Sequence, residues 1–371
     1  MLKVEPRIES SKLMAWLSPI IAILLTMIVS GLMFVSLDVN PAKAFNVFVI
    51  SPLSDSYNVG ELMVKSTPLM LCAVGLALCY RANIWNIGAE GQLLIGAVAS
   101  SAIAVQMGDD AGVGSLTLVL VVGIVSGMLW AAIPTLLERV FSTNLILTTI
   151  MLNYVGLYTL LWAVHGPLAD PQGFGFPESV IFVDGVLLPV IQEDGRASIS
   201  IIIAIIVALI SGLMLYKTLP GFKLRVFGED KSAAKYAGFS SNKVVWGVML
   251  FAGALAGFAG ASEVTGPIGQ LIPSVSPGYG YAAIIVAYLG RLNPIGIIIS
   301  SLFMGTLYMG SDLAQIELGL PTAITGLFQG TLLFFVLACD FLIFYRVVIT
   351  KRNPKHKIAS KAESKQPSGV V

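Results

Sequence analysis

The sequence has very little charge. Only 12% of its 371 residues are Asp, Glu, Lys or Arg, about half the share found in soluble domains. In contrast, 56% are hydrophobic and the mean hydropathy is +0.86. Such a composition cannot cover a water-soluble globule with polar groups, and it excludes a disordered chain. The net charge of +1 argues against a nucleic-acid-binding protein, which needs a basic surface.

Groups that carry catalysis or bind metals are also scarce. The sequence has two histidines, His165 and His356, and three cysteines. It lacks an H-E-x-x-H motif, a Cys/His cluster and a G-x-x-x-x-G-K-[ST] phosphate loop. Cys72 and Cys79 would lie roughly 10 Å apart on one helix, too far for a disulfide. We therefore predict no catalytic residue, no metal site and no cofactor bound by this chain.

Long apolar runs are abundant. A helix that spans a membrane needs about 20 mostly apolar residues. Candidate spans lie near 15–35, 62–80, 85–106, 115–137, 144–164, 199–216, 244–262, 276–290, 295–310 and 322–344. The first is too long for the apolar core of a signal peptide. We predict an all-α polytopic membrane protein with about ten transmembrane helices.

The distribution of Lys and Arg sets the orientation of these spans. If both termini are cytoplasmic, 19 of the 22 basic residues lie inside, and only Lys43, Lys65 and Arg196 lie outside. This topology makes 1–345 one transmembrane domain, with an acidic outside loop at 165–198 and a basic cytoplasmic loop at 217–243. The basic tail 346–371 is expected to be disordered. Five spans on each side of the outside loop fit an inverted repeat, although the halves show no convincing sequence similarity.

A polar segment at 83–96 is the most unusual part of the sequence. On one continuous helix, Asn83, Asn86 and Glu90 would share a face, and Gly88, Gln92 and Gly96 another. Intramembrane carboxylates are costly, and Glu90 stands almost alone. Two interpretations stay open: a polar wall of a substrate pathway, or a buried polar knot in which Arg81 neutralises Glu90. The candidate pathway residues are Asn86, Glu90, Gln92 and Asn153. Asn153 lies mid-membrane and needs a hydrogen-bond partner, so it is either a substrate ligand or interhelical glue.

Glycine marks two further features. Gly88, Gly96, Gly253 and Gly257 are predicted to allow close helix packing, the last two as a GxxxG motif. Residues 266–278, rich in Gly and Pro, interrupt an apolar region on the outer side. Broken backbone at membrane depth must be buried or line a cavity. This segment is therefore either part of a gate or an extracellular loop.

Two motifs resemble those of a known family. The segment Asn86–Ala97 is similar to the N-I-G-x-E-G-Q segment of permease subunits of ATP-binding-cassette (ABC) importers of the branched-chain amino acid and simple-sugar type. The segment 228–238 is similar to their cytoplasmic G-x-N-x-x-A-A-x-x-x-G segment, except that Asp230 replaces Asn. The resemblance covers roughly 60–345, and the A-E-G-Q form is most similar to the nucleoside and simple-sugar branch.

The resemblance implies a set of partners. The basic loop would dock on a separate ATPase subunit, which would hydrolyse the ATP, through Gly228, Asp230, Lys231, Ala233, Ala234, Lys235 and Gly238. In this loop a short helix over 229–238, capped by Asp230, would present Ala233, Ala234 and Ala237 as a narrow face of small side chains. A second permease subunit, identical or paralogous, an extracytoplasmic substrate-binding protein and membrane lipid complete the expected partners.

Three functions are compatible with these patterns. The first is the permease of an ATP-driven importer for a nucleoside or simple sugar. The second is the permease of a branched-chain amino acid importer. The third is an ion-coupled secondary transporter, which would normally need more intramembrane acids than this sequence offers.

Overall fold

The computed structural model describes residues 2–6, 12–108, 111–192, 195–321 and 323–349. Thirteen helices lie in these ranges. They are α1 (Lys12–Ser36), α2 (Pro41–Phe45), α3 (Ser56–Arg81), α4 (Ala89–Ala104), α5 (Val113–Phe141), α6 (Leu145–His165), α7 (Ser200–Lys217), α8 (Leu219–Glu229), α9 (Lys231–Tyr236), α10 (Ser241–Glu263), α11 (Tyr279–Leu289), α12 (Pro294–Leu318) and α13 (Ala323–Phe344). Short π or 3₁₀ turns occupy 46–53, 184–186 and 264–268.

The chain divides into two compact units. One contains residues up to Val29 and from Thr331 onward, and the other contains Ser30–Gly330. In the first unit, β1 (Leu2–Pro6) and β2 (Tyr345–Ile349) form an antiparallel ladder with Leu2 opposite Ile349. The ladder takes the first four residues of the predicted tail, while 350–371 lie outside the described residues.

Each of the ten predicted spans corresponds to a helix. Seven helices in the described part of the chain are long and apolar enough to cross a membrane. The other three apolar helices are shorter: α4, α11 and the Gly326–Cys339 part of α13. The sequence prediction of a full span at 85–106 is wrong in one respect, because residues 82–88 are not helical.

Helix α10 lies at the centre of the larger unit. Its buried face is made of small residues, which lets α3, α4 and α5 approach its backbone. A Cβ atom built on Gly96 of α4 would lie 2.5 Å from the Gly257 Cα atom of α10, and one built on Gly253 would lie 2.5 Å from the Gly127 carbonyl oxygen of α5. Three backbones therefore meet where Gly253 and Gly257 were predicted to pack.

Candidate functional site

The connection between α3 and α4 is a buried, non-helical segment. Asn86 is fully buried, and its side-chain oxygen accepts a hydrogen bond from the Gly88 amide at 2.8 Å. The Tyr80 hydroxyl donates to the Asn86 carbonyl oxygen at 2.9 Å. Since backbone polar groups at membrane depth must be satisfied inside the protein, these contacts are what allow the chain to leave the helical path here.

Helix α6 supplies the remaining partners of this segment. The Asn153 amide nitrogen donates to the Ile87 carbonyl oxygen, and its side-chain oxygen accepts from the Gly91 amide, both at 2.8 Å. The Thr149 hydroxyl accepts from the Ile87 amide at 3.3 Å. Asn153 thus satisfies one backbone group on each side of the start of α4, as interhelical glue would.

Two expectations about this segment are wrong. Because residues 83–88 are not helical, Asn83, Asn86 and Glu90 do not share a helix face, and Gly88 precedes α4 rather than lying on a stripe with Gln92 and Gly96. Nor does Arg81 neutralise Glu90. Its guanidinium group donates to the Leu292 carbonyl oxygen at 3.3 Å and to the Tyr216 hydroxyl at 3.1 Å.

Glu90 instead lies between two helix N-termini. It is in the first turn of α4, and its carboxylate accepts a hydrogen bond of 2.7 Å from the Gly280 amide in the first turn of α11. The Ser276 hydroxyl accepts from the amides of Gly278 and Tyr279 at the same end of α11. A helix N-terminus carries partial positive charge and free amide groups, so a buried carboxylate is stabilised there without a basic side chain.

The second interruption precedes α11. After α10 the chain forms a π turn at Val264–Ile268 and then an irregular stretch to Gly278. The outside loop covers this stretch: the Leu188 amide donates to the Thr265 carbonyl oxygen at 2.7 Å, and the Ser179 amide donates to that of Leu271 at 2.9 Å. Residues 264–278 are therefore held to the outside loop by backbone hydrogen bonds, and most of them are half-buried, with Val264, Thr265, Leu271 and Val275 fully buried.

The two interruptions occupy corresponding places in the two halves. Counting spans, α3 and α4 are the second and third, and α10 and α11 are the seventh and eighth. Short or interrupted spans in matching positions of an inverted repeat are a good indicator of a transport site. Helices α4 and α11 also meet through Glu90 and Gly280. This junction is therefore the candidate transport site, and the inverted repeat on which that depends stays a prediction.

The four predicted pathway residues are all inside the protein. Asn86, Glu90, Gln92 and Asn153 are each at most 6% exposed. Their described contacts are with the α3–α4 segment and α11. These contacts resemble the buried polar knot considered above, except that Arg81 takes no part in it. Their role as direct substrate ligands stays a prediction. Two exposed residues beside them, Trp85 and Tyr281, were not singled out from the sequence.

An outer cluster of charges was also missed. Glu61 and Glu263 are 3% and 6% exposed, and each lies one residue beyond a predicted span, so neither was counted as intramembrane. The Arg196 guanidinium group forms a two-pronged ion pair with Glu61, with its Nε atom 2.8 Å from the carboxylate. Lys65 pairs with Asp312 at 2.8 Å. Two of the three basic residues assigned to the outside are thus neutralised locally.

The cytoplasmic segment forms the predicted short helix with one difference. Asp230 caps α9, accepting from the Ser232 amide at 2.7 Å, and Gly238 ends it with a positive φ of 76°. However, Ala234 is 1% exposed, so it packs inward and is not on an open face with Ala233 and Ala237. Tyr236 is almost fully exposed, at 93%.

The predicted coupling residues divide into two groups. Gly228, on α8, lies against the end of α3, where a side chain would collide with the Arg81 carbonyl group. Lys231 and Lys235 are exposed on α9. Gly228 therefore allows α8 to pack closely against the end of α3, next to the start of the non-helical segment.

Comparison with known proteins identifies the family. A family model described as branched-chain amino acid transport system / permease component matches residues 58–337. The chain belongs to this family. It is a multi-pass membrane protein and a permease subunit of an ABC transporter, a transport component rather than an enzyme.

Named relatives support this assignment. The permease is 31% identical to the glucose ABC transporter permease protein TsgB13 of Haloferax volcanii, over 94% of each chain. It is 30% identical to the guanosine ABC transporter permease protein NupP of Bacillus subtilis, over 86% of this chain and 92% of the other. The nucleoside ABC transporter permease protein NupB of Lactococcus lactis is 28% identical, over 95% and 97%.

One solved structure is a more distant neighbour. It is described as an inward-facing conformation of a putative metal-chelate type ABC transporter. The alignment covers 86% of the permease and 98% of that chain, with a TM-score of 0.45 and 17% identity.

The outer ion pair leads to a prediction about stability. Arg196→Ala is expected to destabilise the permease by about 1–3 kcal/mol, because it leaves the buried Glu61 carboxylate unpaired; the figure is reduced because Arg196 is half-exposed. The hydrogen bond to Glu61 also raises the pKa of the Arg196 guanidinium group above its usual value. Thermal unfolding in detergent measures the effect.

The control is the double variant Arg196→Ala with Glu61→Gln. It removes the charge together with its partner, so it should recover most of the lost stability. Equal destabilisation by the single and double variants would mean that Arg196 does not act through Glu61.

Proposed function

We propose that this permease forms the translocation pathway of an ATP-driven importer for a small uncharged polar solute, a nucleoside or a simple sugar. The observation that carries the proposal is the position of Glu90 at the N-termini of α4 and α11. Relatives named for glucose, guanosine and nucleosides support the same class of solute.

The junction of α4 and α11 also bears on whether the solute carries an anionic group. Interrupted transport helices often direct a free N-terminus at the carboxylate of a substrate. Here the protein's own carboxylate and the Ser276 hydroxyl already occupy the amides at the N-terminus of α11. A substrate carboxylate would therefore find no free amide at this helix end. The lack of a prepared carboxylate site supports a solute without a carboxylate, such as a nucleoside or a simple sugar.

The proposed partners use opposite faces. Helix α9, with exposed Tyr236, Lys231 and Lys235, is the proposed contact with a separate ATPase subunit, which hydrolyses the ATP. The outside loop exposes the large apolar side chains of Phe174, Phe176 and Ile181, which suit a substrate-binding protein. A second permease subunit, identical or paralogous, completes the assembly. This chain alone is expected to bind no ATP.

Uptake by the reconstituted transporter tests the choice of solute. The permease is placed in proteoliposomes with its ATPase subunit, its second permease subunit and its binding protein, and offered guanosine, adenosine, glucose and leucine. Saturable uptake of an uncharged solute is expected, with leucine at background. Uptake of leucine alone would contradict the proposal and would favour the amino acid branch of the family.

A pair of aromatic substitutions tests the docking helix. Tyr236→Ala should lower co-purification of the ATPase subunit about tenfold or more, because exposed aromatic residues are common anchors of interfaces. Phe141→Ala is the matched control. Phe141 is also an exposed aromatic residue, at 68%, and lies on the same predicted side at the end of α5.

The outcome is read together with membrane abundance. Both variants should reach the membrane at normal levels, since neither side chain is buried. Equal co-purification by the two variants would place the ATPase contact elsewhere. Ala234→Trp is not a clean test, since Ala234 is buried and the larger side chain would disrupt α9 itself.

A further inference from the structure

The exposed face of α6 differs from what a lipid-facing helix requires. Tyr154 and Tyr158 are 54% and 67% exposed and lie one turn apart. Leu147, Met151 and Trp162 continue the same stripe toward the two ends. The opposite face holds the buried Asn153 and Gly156 against α4. The tyrosines are therefore on the side of α6 that no other described part of the chain covers.

Other long helices expose aliphatic side chains at comparable depth. Examples are Leu24, Ile28 and Leu32 of α1, Val125, Leu129 and Ile133 of α5, and Ile202, Ile206 and Leu209 of α7. The exposed tyrosines Tyr57 and Tyr216 lie in the first turn of α3 and the last turn of α7, where aromatic residues meet a membrane surface. Tyr154 and Tyr158, in contrast, lie near the middle of α6 and away from both of its ends.

The depth of Tyr154 and Tyr158 in the membrane determines what their hydroxyl groups can contact. Helix α6 has 21 residues, which is about 31 Å, roughly the thickness of the hydrocarbon layer. Tyr154 and Tyr158 lie about 14 and 20 Å from its start. A phenolic hydroxyl facing lipid at that depth would have no hydrogen-bond partner, and its side chain is too short to reach the surface. Water, a polar solute or a second permease subunit could supply that partner, whereas lipid could not.

The same face adjoins the junction of α4 and α11. Tyr281 of α11 is 42% exposed and its side chain hydrogen-bonds with that of Asn153, the neighbour of Tyr154 in α6. Asn153 in turn holds the start of α4, and Glu90 holds the start of α11. Three exposed tyrosines from two helices thus lie beside the interrupted spans, with amide and carboxylate groups behind them.

We propose that Tyr154, Tyr158 and Tyr281 form an aromatic wall of the translocation pathway, which stacks against a flat face of the passing solute. The inference rests on the proposed function, because it extends the same pathway to the residues that contact its solute. The ligand chemistry is a flat, weakly polar face edged by hydroxyl or amide groups. A nucleobase and the C–H face of a pyranose both present it, and the phenolic hydroxyls can bond the edge.

Cysteine labelling tests whether the wall faces water. The native cysteines Cys72, Cys79 and Cys339 are buried, so an introduced thiol would be the accessible one. In membranes that contain the assembled transporter, Tyr154→Cys and Tyr158→Cys are treated with a charged methanethiosulfonate reagent. We expect both to be labelled, because the reagent reacts with thiolates in water.

Matched controls lie on lipid-facing helices. Leu129→Cys on α5 and Ile206→Cys on α7 are exposed at 63% and 48%, at about the same distance from the cytoplasmic ends of their helices as Tyr158. They should stay unlabelled. If Tyr154→Cys and Tyr158→Cys were as unreactive as these controls with and without ATP, the wall would face lipid or be sealed against a second subunit, and the proposal would be overturned.

Uptake separates stacking from hydrogen bonding. Tyr158→Phe keeps the ring and should change KM by less than about threefold, whereas Tyr158→Leu should raise it about tenfold. A guanosine arm and a glucose arm distinguish a nucleobase from a pyranose. If Tyr158→Leu left the KM unchanged for whichever of the two solutes is transported, the stacking role would be overturned. The labelling needs no transport, so absent uptake with normal labelling would count against the proposed function and not against a water-facing wall.

Discussion

Glu90→Gln should retain most of the transport activity, and Glu90→Ala should lose at least tenfold. The glutamine side-chain oxygen can still accept the hydrogen bond from the Gly280 amide, so the N-terminus of α11 stays capped. Alanine leaves that amide without a partner at membrane depth, where an unsatisfied backbone group costs several kcal/mol. Uptake normalised to membrane abundance is the measurement.

The two variants separate charge from hydrogen bonding. Both remove the carboxylate, so a common loss of activity at normal abundance would mean that the charge of Glu90 is essential and that its capping role is secondary. Full activity of Glu90→Ala would mean that the α4–α11 junction does not depend on this contact. A capping role requires the predicted order, with glutamine well above alanine.

Gly257→Ala should destabilise the permease, whereas Gly247→Ala should stabilise it slightly. Both glycines lie on α10, and alanine normally favours a helix by about 1 kcal/mol over glycine. At Gly247 the new methyl group meets open space, so that gain should appear. At Gly257 it would collide with the Gly123 carbonyl oxygen and lie 2.9 Å from the Gly127 Cα atom. Overpacking of this kind costs about 1–3 kcal/mol.

The opposite signs make the comparison informative. Thermal unfolding in detergent and the amount of folded protein in membranes are read side by side for the two variants. Similar changes for both would mean that α5 is not packed against Gly257 as closely as the structure indicates. Gly123 and Gly127 form a GxxxG pair of their own, a pattern in the sequence that could have predicted this contact.

The number and order of the spans were predictable because they depend on composition. Each apolar run became a helix, since length and hydropathy alone make a segment suited to a bilayer. The orientation stays a prediction from the Lys and Arg distribution. The basic residues of the 217–243 loop support this orientation, because Lys and Arg are enriched in cytoplasmic loops.

The interruption at 82–88 could not be predicted in the same way. Backbone groups of this segment form hydrogen bonds with Thr149 and Asn153, more than 60 residues further along the chain. No local sequence pattern predicts such distant partners. The unusual polar residues could be identified from the sequence. Only the prediction that they share one helix face was wrong. Periodicity assumes a continuous helix, and it fails where tertiary hydrogen bonds replace helical ones.

The position of Ala234 illustrates a second limit. A run of small residues predicts close approach, but it does not say whether the approaching surface belongs to the same chain or to a partner. Here Ala234 packs within the protein, and Tyr236 takes the exposed position. The buried acids Glu61 and Glu263 were missed for a simpler reason. The predicted spans ended one residue short of each, because charge itself was used to end them.

The dependence of uptake on ATP tests the central claim most directly. Proteoliposomes with the full transporter are loaded with ATP or with a non-hydrolysable analogue, and an ionophore removes all ion gradients. The account predicts uptake of an uncharged nucleoside or sugar with ATP alone, unchanged by the ionophore, and none with the analogue. Uptake that persists with the analogue and stops when ion gradients are removed would contradict it.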